Sequence, residues 1–306
     1  MASVRDLRDR IKSLKNTRQI TKAMKQVAAA KIRRAEMAQK QARPYAEALA
    51  EILRDLLSAV HSVDHPFMKA GKTGAPAGVI LMTADKGLAG AFNSNVTRAA
   101  ELYAREHSDL RYYTVGVKAR NFVRRLGYAD APTWALNAPS KIETARDVAH
   151  RVTEDFTTGA ISEIVLISSK LISMLSQKPE TRKLVPITQE DTISLSSSSR
   201  SERSPERSDE VAKSKDAKSK GAVEFSPSPE FVLSRLLPKY LEFTIYSAML
   251  ETDASFFAAQ LIAMNNATDN ASKLIDELTI QMNNARQAAI TKELLEIVAG
   301  AEALGA

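Results

Sequence analysis

The stretch IDELTIQMNNARQAAITKELLEIVAGA, residues 275–301, carries the helical pattern that decides the fold of this chain. Neither Gly nor Pro occurs between residues 239 and 299, which predicts a helix of roughly 90 Å if it is continuous. Apolar residues recur in it at alternating spacings of three and four, the seam of a coiled coil: Ile275, Leu278, Met282, Ala285 and Ala289.

The last part of this helix is apolar on nearly every side. At roughly 100° per residue, its apolar side chains spread around the whole circumference. A partner helix needs only one apolar stripe, so the sequence predicts that something else surrounds this end. The side chains concerned are Ala288, Ile290, Leu294, Leu295, Ile297 and Val298.

A second long helix is predicted at the start of the chain, because residues 3–43 contain neither Gly nor Pro. Pro44 is a position where this helix is expected to end or bend, and YAEALAEILRDLLSAV then continues as helix. We expect the two long helices to pair with each other and to carry the intervening residues as an insertion. The predicted seam of the first helix consists of Val4, Leu7, Ile11 and Leu14, followed by Ile20, Met24 and Val27.

The positive charge is concentrated in the first helix. Residues 1–43 contain 13 Lys and Arg against 3 Asp and Glu, a net charge of +10, whereas the whole chain carries +7. Such a cationic helix requires an acidic partner, which nucleic acid, anionic lipid or an acidic protein surface would provide.

The middle of the chain alternates short β-rich runs with helical patterns. GVILMT, LRYYTVGV and SEIVLIS are expected strands, TRKLVPIT is a further strand, and KARNFVRRLG and KIETARDVAHRVTEDF are expected helices. This alternation predicts a small, largely parallel α/β domain. The chain then divides into a first helix (1–60), an α/β domain (76–188), a Ser-rich, charge-rich insertion predicted to be disordered (189–228), and a last helix (229–306) that SPSPE introduces.

Neither a catalytic nor a cofactor or metal site is predicted. TADKGLAGAFNSNV (83–96) follows a strand, as phosphate-binding loops do, but lacks a nucleotide fingerprint, and a tight turn capped by Ser94 or Asn95 is the better interpretation. His61 and His65 flank Asp64 with metal-ligand spacing, but Pro66 follows and a third ligand is missing, so we expect a solvated helix end. The chain contains no Cys and no apolar run long enough to span a membrane.

Three motifs in order resemble the gamma subunit of F-type ATP synthases over nearly the whole chain except about residues 189–226. They are IKSLKNTRQITKAMKQVAAAKIRRA (11–35), TADKGLAGAFNSNV, and MNNATDNASKLIDELTIQMNNARQAAITKELLEIVAGAEAL (264–304). The resemblance implies an α/β fold in which the N- and C-terminal helices form a long antiparallel coiled coil with an inserted Rossmann-like domain. It also implies a non-catalytic central rotor shaft that couples ion flow through the membrane c ring to ATP synthesis or hydrolysis at the beta subunits.

The partners implied are the hexameric ring of alpha and beta subunits, the epsilon subunit and the c ring, with one copy of this chain per complex. Nucleic acid is not implied, and the membrane is reached only through partner subunits, on the cytoplasmic face of a bacterial plasma or thylakoid-like membrane. The cationic first helix would face an acidic collar loop of beta. The matching positions for contacts with beta and the ring are Met24, Lys25, Arg286, Gln287, Thr291 and Glu293; those of an apolar bearing are Ile290, Leu294, Leu295, Ile297 and Val298; and those of the foot near the c ring are Phe225 and Glu230.

Two departures from the family pattern are expected to matter. SFFAAQL (255–261) places Phe256, Phe257 and Gln260 where relatives carry charged or polar residues, which predicts a changed partner surface there. The insertion at 189–226 has no Cys pair, which excludes thiol control, and we hypothesise at most a modest brake on reverse rotation.

Two other classes of protein account for parts of the sequence. A nucleic-acid-binding coiled coil would use the basic helix and the SRSERSPERS tract, but it leaves the all-round apolar end and the α/β insertion without an explanation. A dinucleotide-dependent enzyme lacks its fingerprint.

Overall fold

The computed structural model describes residues 3–59, 65–107, 109–187 and 228–304. Two long helices flank the remaining elements: α1, Val4–Ala59, and the last helix α5, Pro229–Leu304. Pro44 lies inside α1 and does not end it. The predicted start of α5 is confirmed, because the Ser228 Oγ accepts a hydrogen bond from the Phe231 N–H at 3.2 Å.

Between the long helices, strands alternate with helices as the sequence predicted. In chain order these are β1 (Ala77–Met82), α2 (Phe92–Glu106), β2 (Leu110–Val115), α3 (Val117–Arg125), β3 (Thr133–Trp134), α4 (Lys141–Thr157), β4 (Glu163–Ser173) and β5 (Ser176–Val185). A short 3-10 helix, Pro66–Met68, precedes β1. The two-residue strand β3 is too short for the sequence pattern to reveal.

The strands of the described residues form a five-stranded sheet in the order β3-β2-β1-β4-β5. The pairs β1–β2, β1–β4 and β2–β3 are parallel, whereas β5 runs antiparallel to β4. Parallel strands need helical crossovers, which α2, α3 and α4 provide. The predicted α/β fold with a largely parallel, Rossmann-like sheet is therefore confirmed.

Each face of the sheet is covered by its own apolar core, and alternate residues of one strand supply the two faces. On one face Ile80 and Met82 of β1 pack with α4 and with parts of α1 and α5. On the other face Val79 and Leu81 pack with α2 and α3. Coverage on both faces explains why β1 is buried at every position.

The described residues separate into two units. One comprises Met1–Lys31, Leu88–Gly90 and Phe257–Ala306, and the other comprises Ile32–Gly87 and Ala91–Phe256. The first consists mainly of the paired ends of α1 and α5, and the second contains the sheet.

The seam predicted for α1 is right at its start and partly wrong further along. Leu7 and Ile11 are buried and Leu14 is half-buried, and Met24 is half-buried too, but Ile20 and Val27 are exposed. Thr21 and Ala28, which continue from Leu14 at steps of seven, are buried in their place. Burial follows the unbroken heptad phase rather than the next apolar residue, since helix geometry decides which side faces the partner.

Several predictions fall outside the described residues. These are residues 189–227 of the insertion, including Phe225, and the candidate ligands His61 and Asp64. The four-part division of the chain stays a prediction.

Candidate functional site: the unpaired end of α5

The paired ends of α1 and α5 run antiparallel, as three contacts show. The Thr268 Oγ1 lies 2.8 Å from the Thr21 Oγ1, and the Lys25 Nζ donates to the Asn265 Oδ1 at 2.5 Å. Farther along α1, the Lys31 Nζ lies 4.9 Å from the centre of the Phe257 ring. Because each step up α1 matches a step down α5, this register places Ser3 opposite about Arg286.

The seam of α5 ends where α1 begins. Ile275 is buried, and Leu278, Met282 and Ala285 are half-buried, in agreement with the predicted seam. Ala289, the last predicted seam position, is exposed, because within the described residues no part of α1 lies opposite it.

Every residue from 286 to 300 is exposed, and we call this segment the unpaired end of α5. Its large apolar side chains are 49–68% exposed: Ile290, Leu294, Leu295, Ile297 and Val298. They spread around the helix, as the sequence indicated. An isolated helix of this length is marginal in water, and the ion pair between Lys292 and Glu296, at 3.6 Å, is solvent-exposed and contributes little. The unpaired end is therefore an apolar surface that the described chain leaves uncovered.

The residues predicted to contact beta fall into two groups. Arg286, Gln287, Thr291 and Glu293 all lie on the unpaired end and are exposed. Met24 and Lys25 are half-buried, and lie opposite residue 265 rather than opposite the unpaired end. At 1.5 Å per residue, this separates the two groups by roughly 30 Å along α5.

The turn after β1 is held by side chains that the sequence analysis did not select. The Asn93 Oδ1 accepts from the Ala84 N–H at 3.1 Å, and its Nδ2 donates to the Lys86 carbonyl at 3.3 Å. The predicted cap at Ser94 or Asn95 is wrong, because α2 begins after Ala91 without a side-chain cap. Asn93 instead links the start of α2 to the backbone of the turn at Ala84 and Lys86.

Asp85 fills the position at the carboxyl edge of the sheet where an anionic ligand would bind. One carboxylate oxygen accepts from the Val117 N–H at 3.1 Å, at the start of α3, and the other accepts from the Asn137 N–H at 2.9 Å. The chain thus supplies its own anion to this helix N-terminus. This favours the turn over the phosphate-loop interpretation.

His65 acts as a helix cap. Its Nδ1 accepts from the Phe67 N–H at 3.1 Å, and burial lowers the pKa of the His65 imidazole. In the part of the chain that the structure describes, no three His, Asp or Glu side chains gather as a metal site requires.

The departure at 255–261 changes internal packing, not an outer partner surface as predicted. Phe256 is buried and its ring lies edge-on to Phe92, with centroids 5.8 Å apart. Phe257 is buried under Lys31. Gln260 is half-buried. Apolar side chains here gain more from burial than from solvent exposure.

Comparisons with known proteins identify the family. The family model described as ATP synthase matches residues 3–304. The ATP synthase gamma chain of Pelotomaculum thermopropionicum is 44% identical over 99% of this chain and 100% of its own length. The chain belongs to the ATP synthase gamma chain family. The gamma chain of Heliobacterium modesticaldum is 40% identical, with all of both chains covered.

Solved structures share the fold. A chain of the Euglena gracilis mitochondrial ATP synthase, described as OSCP/F1/c-ring, matches with a TM-score of 0.63 and 18% identity over 98% of this chain and 94% of its own. A chain of the Tetrahymena thermophila mitochondrial ATP synthase, described as central stalk/c-ring, matches with a TM-score of 0.55 and 22% identity over 81% of this chain and 99% of its own. Gamma chains are the central-stalk subunit of the F-type ATP synthase, and the predicted function is confirmed at that level.

None of the helices among the described residues is long and apolar enough to cross a membrane.

Proposed function

We propose that this chain is a non-catalytic rotor shaft whose α5 end turns inside an apolar sleeve formed by a ring of three alpha and three beta subunits. The unpaired end of α5 is the observation that carries this proposal. Its large apolar side chains are about half exposed or more on all sides, and contact between apolar surface and water is unfavourable. A sleeve would cover them all.

The chemistry of the unpaired end suits rotation. Apolar contacts have no preferred direction, so a helix held by them can turn without breaking hydrogen bonds at each step. Polar side chains of the unpaired end would make the directional contacts with beta that distinguish one rotational position from the next. Arg286 and Gln287 lie at its start, and Thr291 and Glu293 follow within two turns.

The coupling we propose is a shift of populations. The shaft is asymmetric, so at any moment it presents a different face to each beta subunit and favours an open or closed form in each. Ion flow turns the c ring and the shaft with it, and binding energy for nucleotide is thereby exchanged for rotation. In the reverse direction, ATP hydrolysis at beta would drive the shaft, and the same contacts would regulate that ATPase activity.

Other partners follow from the family. The cationic α1 would face the acidic collar loop of beta, with Met24 and Lys25 half-buried at the pair interface beside it. The foot, with Phe225 and Glu230, would rest on the c ring together with epsilon. The chain would then lie on the cytoplasmic face of the membrane and reach it only through these subunits.

The experiment that tests this proposal is native mass spectrometry of the tagged chain from detergent-solubilised membranes. We expect one copy bound to three alpha and three beta subunits. A chain truncated before Arg286 should keep the fold of the sheet and lose the ring. Recovery of the full chain as a free oligomer, or with nucleic acid that salt releases, would overturn the rotor.

A further inference from the structure

The short helix α3 carries an unusual set of charges. Its nine residues, Val117–Arg125, include four cations and no acid, and all four cations are exposed: Lys118, Arg120, Arg124 and Arg125. The helix packs on the sheet through Ala119, Phe122 and Val123. Arg124 lies near the centre of the opposite face, which points to solvent, and Arg120 lies beside it, one turn earlier.

Fold stability explains only part of this charge. Arg124 and Arg125 lie in the last turn, where a cation interacts favourably with the helix dipole. Lys118 lies in the first turn, where the dipole disfavours it. Arg120 and Arg124 are four residues apart, and like charges at that spacing destabilise a helix.

The cations of α3 differ from those of α4 in having no carboxylate partner among the described residues. On α4, each cation has an acid within 3.3 Å: Lys141 has Asp253, Arg146 has Glu242, and Arg151 has Asp155. On α2, two arginines alternate with two glutamates. The carboxylate at the start of α3, that of Asp85, accepts hydrogen bonds from backbone N–H groups instead.

Apolar side chains follow the charged face directly. Leu126 and Tyr128 are both exposed, and the Tyr128 ring is held edge-on against Tyr112 with centroids 5.0 Å apart. Arg and Tyr around an apolar contact are the residue types that contribute most to protein–protein interfaces.

We propose that the exposed face of α3, with Leu126 and Tyr128, binds an acidic segment of a partner chain in the assembled complex. The charge complementarity requires several Asp or Glu residues on that segment, and the apolar pair requires a hydrophobic residue among them. This inference rests on the proposed function only in that the chain is a subunit of a complex.

A photo-reactive benzoylphenylalanine in place of Leu126, introduced into the intact complex, tests this inference. We expect irradiation to cross-link one segment of another subunit, which mass spectrometry identifies as rich in Asp and Glu. Adding Arg120→Glu and Arg124→Glu should lower the cross-link yield at least about threefold at low salt, and the difference should shrink at high salt because exposed charges are then screened.

The matched control carries Arg98→Glu and Arg105→Glu on α2, which produce the same change in net charge on exposed positions. This control should keep the yield of the parent. Equal losses in both variants, no loss in either, or a cross-link to a neutral or basic segment would overturn the inference. A cross-link to lipid would also overturn it, if the chain floats with phosphatidylglycerol vesicles and the Arg120→Glu and Arg124→Glu variant does not, because the surface would then bind membrane. Failure of the unmodified chain to assemble at all would instead count against the proposed function.

Discussion

Replacing Leu294 and Leu295 by Ala tests whether these side chains bind a partner or stabilise the fold of the chain itself. These side chains are 57% and 64% exposed in the chain alone. Their truncation should therefore leave the isolated chain as stable as before. Ala is the better helix former, so α5 itself is not weakened.

The expected loss of affinity follows from the exposed fractions. Complete burial of a Leu side chain is worth about 1.5–3 kcal/mol, and somewhat more than half of each side chain remains to be buried. Each leucine thus has about 1–2 kcal/mol to gain from the sleeve. Because Ala retains little of this, the double variant should lose about 2–3 kcal/mol, roughly 30- to 150-fold in Kd.

Two measurements are needed on the same protein. Thermal unfolding of the isolated chain, followed by circular dichroism, should give a Tm within about 1 °C of the parent. Titration of the chain into a ring of alpha and beta subunits prepared without it should give the weaker Kd. Leu102→Ala is the matched control, since Leu102 is 53% exposed on α2 and is not part of the unpaired end; it should change neither quantity.

Two results would refute the reasoning. A Kd within about twofold of the parent would mean that the ring does not cover these side chains. A Tm several degrees lower would mean that they pack inside the chain, contrary to their exposure.

Three further substitutions test the packing that supports the shaft. Burial raises the pKa of the Glu251 carboxyl, so the folded chain binds this proton more tightly than the unfolded chain, and stability falls as pH rises through the interval between the two pKa values. Glu251→Gln should therefore raise Tm above that of the parent at pH 7 and lose this advantage in acid. A Tm equal to that of the parent at both pH values would contradict the burial argument. The Thr21 and Thr268 hydroxyls contact each other, and each also lies within hydrogen-bond distance of a carbonyl of its own helix. Thr21→Val or Thr268→Val alone should therefore cost about 0.5–1.5 kcal/mol, and the pair together less than the sum of the two. Additive losses in urea unfolding would argue against their contact. Asp85→Ala should lower the free energy of unfolding by about 1.5–3 kcal/mol, since it leaves the Val117 and Asn137 N–H groups without their charged acceptor. A loss below about 0.5 kcal/mol would show that water replaces the Asp85 carboxylate as acceptor.

The sequence by itself determined the elements and the family. Periodicities of 3.6 and 2 are local properties of a chain, so the long helices, the main strands and the all-round apolar character of residues 288–299 could be inferred without coordinates. The start of α5 at Ser228 and the seam from Ile275 to Ala285 were predicted for the same reason, because capping and heptad spacing involve neighbours in sequence.

The tertiary structure decided which side of each helix meets which partner. Thr21 is buried and Ile20 exposed because the phase of the pair, set by Leu7 and Ile11 against α5, overrides the hydrophobicity of a single residue. Asp85 is aimed at backbone N–H groups 32 and 52 residues away, a distance in sequence that no local pattern encodes. The residue at which α5 becomes unpaired likewise depends on its register with α1, some 240 residues earlier in the sequence. Only the folded chain brings these two helices together.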